Sequence, residues 1–548
     1  MSDTRPIIWS IAGLDTAGGA GLSADQRAAD ALGVHLCPVA AALTAQHSQG
    51  VQAVSPVDPA FLQAQLQALA DDLPPRAIKT GLLGSVRAIE QVAHWADHWR
   101  ARTPAGLDPH RQLALIVDPV LGASSGGAPF SDDAIVAAYR QWLLPRATVL
   151  TPNRAEARRL LGQAARHDGP REALPELARA LQALGARSVV ITGGDGPVQA
   201  DAASAPHCLD WVLTPHAQGW LSAPRIDTPH AHGSGCTFAS GVAAACALGH
   251  VEADAIVLAN MLTRHALMHS RAAGGGAGPV LAQAGFAAGP AHGGAPLPWL
   301  GLGDELPWRL TRSQVPFRPF TPAADKLYGI LADGPQVEAA VQAGLRCVQL
   351  RHKAPMDLSA NLSHSLRSAA SVDAQLFVND HWQAALALLP DLAPTVRLGL
   401  HLGQEDLLSL RPADCQALLA AGSRLMLGLS SHSLWELARA AGCGASYIAC
   451  GPVQPTTTKD MPWLPQGQDN LGWWVRHSPV PVVAIGGLLS AQDVAWAAAC
   501  GPAAVCVVRG LGQTKQQMQA ALPQLQQAAQ TAVRSDVAHA PLPHPVLP

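Results

Sequence analysis

Apolar residues along this chain come in short runs separated by longer amphipathic stretches. In the first half the runs are Ile7–Leu14, Ala114–Val120, Thr148–Leu150 and Ser188–Thr192. Helical spacing fills the stretches Phe61–Leu73, Val86–Arg102 and Arg171–Leu184. Strands alternating with helices of this length predict a mostly parallel sheet covered on both faces. The second half repeats the alternation more regularly. Its eight strand candidates are Leu327–Ala332, Cys347–Arg351, Gln375–Val378, Val396–Leu402, Arg424–Leu429, Ser446–Cys450, Val480–Ile485 and Ala503–Val508. A helix-compatible segment follows each one. Eight βα units in about 200 residues is the arithmetic of a (β/α)8 barrel, with a doubly wound sheet as the alternative that pattern alone leaves open.

A stretch rich in Gly, Ala and Pro, from Ala272 to about Ala324, separates the halves. The expected division is a first domain over residues 1–285, a linker over 286–325, a barrel over 326–530 and a loose tail over 531–548. The segment Phe238–Val251 is Ala/Gly/Ser-rich and reads as a buried helix. No apolar run reaches the ~18 residues of a membrane span, and the N-terminus lacks a signal-peptide pattern.

Composition narrows the function classes. Hydrophobic residues make up 48% of the chain, ample for two buried cores, and charged residues 14%. A net charge of −3 offers no electrostatic case for nucleic acid or an anionic membrane as a partner. The ten cysteines lack CxxC pairs, which points to reduced thiols and a cytoplasmic protein. Partners are then expected to be small molecules, and a homo-oligomer stays open. The pairs His94/His98 and His265/His269 have i, i+4 spacing but no further ligands nearby, so they read as solvated helix faces.

Three motifs in the first half carry chemistry together. Gly13-Leu-Asp15-Thr-Ala-Gly18-Gly19-Ala-Gly21 follows a strand and opens a helix, where glycines let backbone approach a ligand. Thr151-Pro-Asn153-Arg-Ala-Glu156 places an amide and a carboxylate on one helical face, a fit for Mg²⁺ with waters and phosphate oxygens. His232-Gly233-Ser234-Gly235-Cys236 puts a glycine-rich turn and a cysteine at a helix N-terminus. That end presents N–H groups to an anion and is expected to stabilise the Cys236 thiolate. Taken alone, the first motif is as compatible with a tight connection as with a ligand loop, and the second and third read more readily as an ordinary helix start and a small buried cysteine.

With AALTAQHSQGVQAV, IKTGLLG, VDPVLGASSG and LLPRATVLTPNRAEA added, residues 1 to about 280 resemble the bacterial hydroxymethylpyrimidine/phosphomethylpyrimidine kinases of the ribokinase-like superfamily. The resemblance implies a three-layer, mostly parallel α/β fold and ATP as a substrate. It places Asp15, Gln46, Gly13 and Leu82 at the pyrimidine. Asp118, Asn153 and Glu156 go around Mg²⁺ and the ATP phosphates. Gly233 and Gly235 form an anion hole, with Cys236 as catalytic base where most ribokinase relatives carry Asp. One departure is Thr192-Gly193-Gly194-Asp195, where the family usually has Lys-Gly-Gly-His.

In the second half, polar clusters fall where barrel strands end, the rim on which such barrels do chemistry. Two basic groups, Arg351 and Lys353, and a Thr/Lys loop suit phosphate oxygens. Two carboxylates, Asp380 and Asp406, suit Mg²⁺ bridging a diphosphate. QLRHK, FVND, HLGQED, PTTTK and AIGG occur in the order found in thiamine-phosphate synthases, which residues 326–515 resemble. That resemblance implies that Gln349, Arg351, Lys353, Asn379 and Lys459 bind pyrimidine diphosphate, with Asp380 and Asp406 on the metal. Ser430, Thr456, Thr458 and Gly487 would contact the diphosphate and thiazole phosphate. The family reaction loses pyrophosphate to give a pyrimidinyl cation, which the thiazole nitrogen attacks. Arg509 departs from the small residue usual at the end of strand eight.

The two halves together predict a bifunctional enzyme that makes a pyrimidine diphosphate and then consumes it. A pyridoxal/pyridoxine kinase is the alternative for the first half. A non-catalytic ligand-binding or regulatory half, motivated by Thr192 and Arg509, is the alternative from another class.

Overall fold

A computed structural model describes residues 5–102, 112–122, 131–163, 173–193, 206–311, 317–353, 356–456, 461–534 and 542–547. The chain divides into two compact units, 1–306 and 307–548. The expected linker is therefore shared between them.

The first unit is built on a ten-stranded sheet. Its strands are β1 (Ile7–Leu14), β2 (His35–His47), β3 (Gly50–Pro56), β4 (Ala77–Thr80), β5 (Ala114–Val117), β6 (Val149–Leu150), β7 (Ser188–Ile191), β8 (His207–Leu213), β9 (Gln218–Pro224) and β10 (Trp299–Leu300). Their spatial order is β10-β9-β8-β7-β6-β5-β4-β1-β2-β3. The middle, from β7 to β2, is parallel, and antiparallel strands finish both edges. Every residue of β4, β5 and β7 is buried, so helices cover both faces. β5 stops at Val117, before Asp118-Pro119, because proline cannot donate to the ladder. β10 lies inside the expected linker and pairs with β9, which the glycine-rich composition concealed.

The second unit is a closed barrel of eight parallel strands. They are β11 (Leu327–Leu331), β12 (Cys347–Leu350), β13 (Gln375–Asn379), β14 (Leu398–Leu402), β15 (Met426–Ser431), β16 (Tyr447–Cys450), β17 (Val482–Ala484) and β18 (Ala504–Val507). Side chains fill its interior, including Phe320, Tyr328, Phe377, Met426 and Tyr447. Glycines make room for the rings. A Cβ at Gly399 would lie 2.3 Å from Phe377, and one at Gly428 would lie 2.3 Å from Tyr447. Phe320 also lies in the expected linker, yet it packs into this core.

The expected loose tail returns to the barrel. Val546 is buried, and its carbonyl accepts from the Leu464 N–H at 2.9 Å. His544 N–H donates to Asn470 at 2.8 Å. Apolar Val546 supplies a reason to dock that the proline-rich composition did not show. Among the described residues no helix is long and apolar enough to cross a membrane. Of the Phe238–Val251 segment, the part up to Ala247 belongs to a buried helix, Ser234–Ala247, and the remainder turns into the next helix, Glu252–Met268. His265 corrects a further expectation: it is buried, not solvated, with its ring 4.2 Å from that of His269.

Candidate active sites

The first unit's pocket opens where parallel strands end, the usual ligand position of open α/β sheets. Gly13 comes from β1, Leu82 follows β4, Asp118 follows β5, Asn153 and Glu156 follow β6, and Thr192 follows β7. Gln46 on β2 and the turn Gly233–Cys236 complete it, so every residue expected in the kinase half lines one cavity.

Local chemistry builds this cavity. Asp15 accepts from the N–H groups of Ala17 (2.8 Å), Gly19 (2.9 Å) and Ala20 (2.8 Å), and its Oδ2 lies 3.0 Å from His232 Nε2. Burial opposes its charge, but the hydrogen bonds from His232, Ala20 and Ala17 outweigh burial and hold Asp15 down to about 2. Asp15 therefore staples its own glycine loop as a carboxylate. Gly233 sits at φ 85°, and a Cβ there would meet the Gly19 carbonyl oxygen at 2.2 Å. The two glycine loops interlock at this point, which positions the helix carrying Cys236. Asn153 and Glu156 form a reciprocal cap at the start of helix Arg154–Leu160, each accepting the other's N–H at 2.9 Å. Both residues also line the cavity.

Cys236 departs from expectation. Burial pushes its thiol up to about 12, with Asp25 and Asp118 adding to the rise against Lys79 and a Gly21 backbone hydrogen bond. Burial here opposes the thiolate that a helix N-terminus favours. Beneath the cavity, Lys79 Nζ lies 2.8 and 3.0 Å from the Asp25 carboxylate oxygens and 4.0 Å from Asp118. Ser10 (2.6 Å) and Ser240 (2.8 Å) donate to the same Asp25 carboxylate. Burial alone would lower Lys79, but the Asp25 carboxylate, with Asp118 farther off, reverses that and keeps it protonated. Asp118 is raised to about 6, chiefly by burial. Lys79→Met strands the Asp25 charge in the interior and is expected to cost about 3–5 kcal/mol. Chemical denaturation of the whole chain measures this, and a loss below about 1 kcal/mol contradicts it.

The barrel pocket gathers Gln349, Arg351, Asn379, Asp380, Asp406, Ser430, Thr456 and Gly487, together with Arg509. Lys353 is exposed and lies outside this lining. Thr458 and Lys459 fall outside the described residues. Asp380 stands at φ 66°, a left-handed conformation uncommon for a non-glycine residue, and accepts a hydrogen bond from Asn379 Nδ2. Asp406 accepts the Gly403 N–H at 3.0 Å, which fixes its carboxylate at the start of helix Gln404–Leu408.

Two family profiles divide the chain as the pockets do. "Phosphomethylpyrimidine kinase" matches residues 15–281 and "Thiamine monophosphate synthase" residues 331–511. The probable thiamine biosynthetic bifunctional enzyme of Oryza sativa is 30% identical over 88% of this chain and 81% of its own length. This chain belongs to the bifunctional thiamine biosynthetic enzymes. The corresponding Arabidopsis thaliana enzyme is 31% identical over 88% of this chain and 85% of its own length. The hydroxymethylpyrimidine/phosphomethylpyrimidine kinase of Synechococcus elongatus is 39% identical over 50% of this chain and 96% of its own. The chain thus joins a kinase unit to a thiamine-phosphate synthase unit.

Sequence reasoning missed several residues of these sites. His232 connects Asp15 with Gln46, whose amide is 3.2 Å from its ring. Lys79 was visible as a lone charge in the buried run Ala77–Thr80. His401 sits in the buried strand Leu398–Leu402, where a single imidazole among Leu and Gly was the signal. Of the Thr192 departure, Thr192 lines the pocket and Gly193 donates to buried Asp210 at 2.8 Å, while Gly194 and Asp195 fall outside the described residues.

Proposed function

We propose that the first unit phosphorylates 4-amino-5-hydroxymethyl-2-methylpyrimidine and then its monophosphate at the expense of ATP. The barrel then joins the diphosphate to 4-methyl-5-(2-phosphoethyl)thiazole, giving thiamine phosphate and pyrophosphate. The observation carrying this reading is the convergence of each half's chemistry-bearing motifs on one pocket.

In the kinase pocket, Gln46, Gly13 and Leu82 hold the pyrimidine ring, over a loop that Asp15 keeps in shape. Gly233 and Gly235 at the helix N-terminus face the transferring phosphoryl group. Cys236 receives the proton of the attacking hydroxyl. Asp118, Asn153 and Glu156 supply oxygen atoms toward the ATP phosphates.

In the barrel, Arg351 and Asn379 bind the diphosphate, with Lys353 and Lys459 adding positive charge, and Gln349 lies beside the pyrimidine. Thr456, Thr458 and Gly487 bind phosphate oxygens. The donor set fits Mg²⁺: Asp380 and Asp406 are hard oxygen ligands in one pocket, and Mg²⁺ uses one or two carboxylates, with waters and phosphate oxygens filling its shell. When bound, Mg²⁺ neutralises charge on the leaving pyrophosphate.

Arg509 lines the same pocket from the turn after β18 and is exposed. In this reading it adds a charge-assisted contact to the thiazole phosphate. Arg509→Ser should raise the Michaelis constant for thiazole phosphate several-fold and barely change that for the pyrimidine diphosphate. An unchanged constant would place the guanidinium in solvent, and a lowered one would make it an obstruction. The kinase reading is tested by ³¹P NMR of the chain with the pyrimidine alcohol, ATP and Mg²⁺. The monophosphate and then the diphosphate are expected, and failure to form either contradicts it.

A further inference from the structure

Beneath the barrel pocket runs a continuous series of hydrogen bonds. Ser430 Oγ is 2.9 Å from His401 Nε2, and His401 Nδ1 is 2.7 Å from Tyr447 Oη. Tyr447 Oη is 2.8 Å from Tyr328 Oη, which is 2.8 Å from Gln349 Oε1. Gln349 Nε2 is 2.9 Å from Asn379 Oδ1, and Asn379 Nδ2 meets the Asp380 carboxylate. The two tyrosines are buried under the cavity, while Ser430, His401, Gln349, Asn379 and Asp380 line it.

The donor in each link follows from the one before it. A carboxylate only accepts, so Asn379 turns its NH₂ to Asp380 and its carbonyl to Gln349. Gln349 must then give its NH₂ to Asn379 and accept through Oε1 from Tyr328. The single proton of Tyr328 is thereby used, so its oxygen accepts from Tyr447. The Tyr447 proton is used in turn, so its oxygen accepts from His401 Nδ1–H. Burial, with Arg351 and His432 nearby, pushes His401 down to about 4, so its ring carries one proton at neutral pH. Nε2 is then bare and accepts from the Ser430 hydroxyl.

We propose that Ser430 faces the bound ligand only as a hydrogen-bond acceptor, its proton being committed to His401 by a one-way chain that ends on Asp380. A phosphate oxygen is itself an acceptor, so Ser430 is not a phosphate ligand, contrary to the role that family resemblance implies. Its lone pairs fit an N–H donor on a heteroaromatic ring. Given the proposed function, on which this part rests, that donor is the exocyclic amine of the pyrimidine. Loss of pyrophosphate puts positive charge on that ring, and each donor in the chain polarises the next toward stabilising it. Tyr447, Tyr328 and His401 are thus positioning residues whose effect grows in the transition state.

The test is ¹⁵N NMR of the full-length, ligand-free chain labelled at histidine, with His401→Gln used to assign the resonance. A neutral ring protonated at Nδ1 is expected. A proton on Nε2, or on both nitrogens, overturns the proposal. In Tyr328→Phe, Tyr447 loses its acceptor, can donate to His401 Nδ1, and should move the ring proton to Nε2. The synthase kcat should fall by about tenfold while KM for thiazole phosphate stays within about twofold. An unmoved proton, or a raised KM with unchanged kcat, overturns it as well. The tautomer of the unsubstituted chain needs no substrate, so it stands or falls separately from the assigned reaction.

Discussion

Alanine at Asp380 or at Asp406 is expected to abolish thiamine phosphate formation, a loss of about 10²–10³-fold or more, while pyrimidine phosphorylation continues at the parental rate. Both carboxylates line the barrel pocket, and each is held by a separate local device: the Asn379 amide for Asp380 and the Gly403 N–H for Asp406. A departing pyrophosphate needs its growing charge neutralised, and neither basic residues nor backbone can replace a divalent cation there. The residual rate should require much more Mg²⁺ than the parent. If both variants keep a normal Mg²⁺ titration, the paired-carboxylate account fails. The kinase is spared because its own acidic groups, Asp118 and Glu156, line the other unit's pocket.

Cys236→Ala is expected to slow phosphorylation by about 10²–10⁴-fold, the usual contribution of a positioned acid–base group. The synthase should be unaffected. The structure adds a pH signature. Burial pushes the thiol up to about 12, so only a small fraction is thiolate near neutrality. A base is active when deprotonated, and below its pKa that fraction grows tenfold per pH unit. The parental kinase rate should therefore rise between about pH 6 and 9, and the alanine variant should lose the slope. Kinase turnover within about threefold of the parent would make the thiol structural. A flat parental profile with a large loss in the variant would point to a thiol that orients the hydroxyl without deprotonating it.

The barrel was legible because its signal is periodic: each strand in Leu327–Val507 is a short apolar run that ends in a polar cluster, and that ending is where the pocket forms. The kinase sheet was legible only in its parallel middle. The β2–β3 and β8–β9 hairpins escaped because their strands mix polar and apolar positions, as in His207–Leu213 with buried Asp210, and resemble loops or helix faces. Motifs brought the pocket-lining residues together, but not what supports them. Lys79 pairs with Asp25 across a sequence separation of 54, and Tyr447 lies 46 residues from its partner His401. Such partners are set by strand register and crossover, which local patterns do not encode. The environment of the Cys236 thiol escaped the sequence for a related reason. A helix N-terminus is visible in sequence, whereas burial beside Asp25 and Asp118 is a property of the fold.

The most direct test supplies the whole chain with hydroxymethylpyrimidine, thiazole phosphate, ATP and Mg²⁺ and follows the products by chromatography with fluorescence detection after oxidation. Thiamine phosphate should accumulate, and omitting either ATP or thiazole phosphate should stop it. Pyrimidine diphosphate accumulating without thiamine phosphate would contradict the account by leaving the barrel without its assigned reaction. Consumption of neither pyrimidine nor ATP would contradict it for the kinase unit.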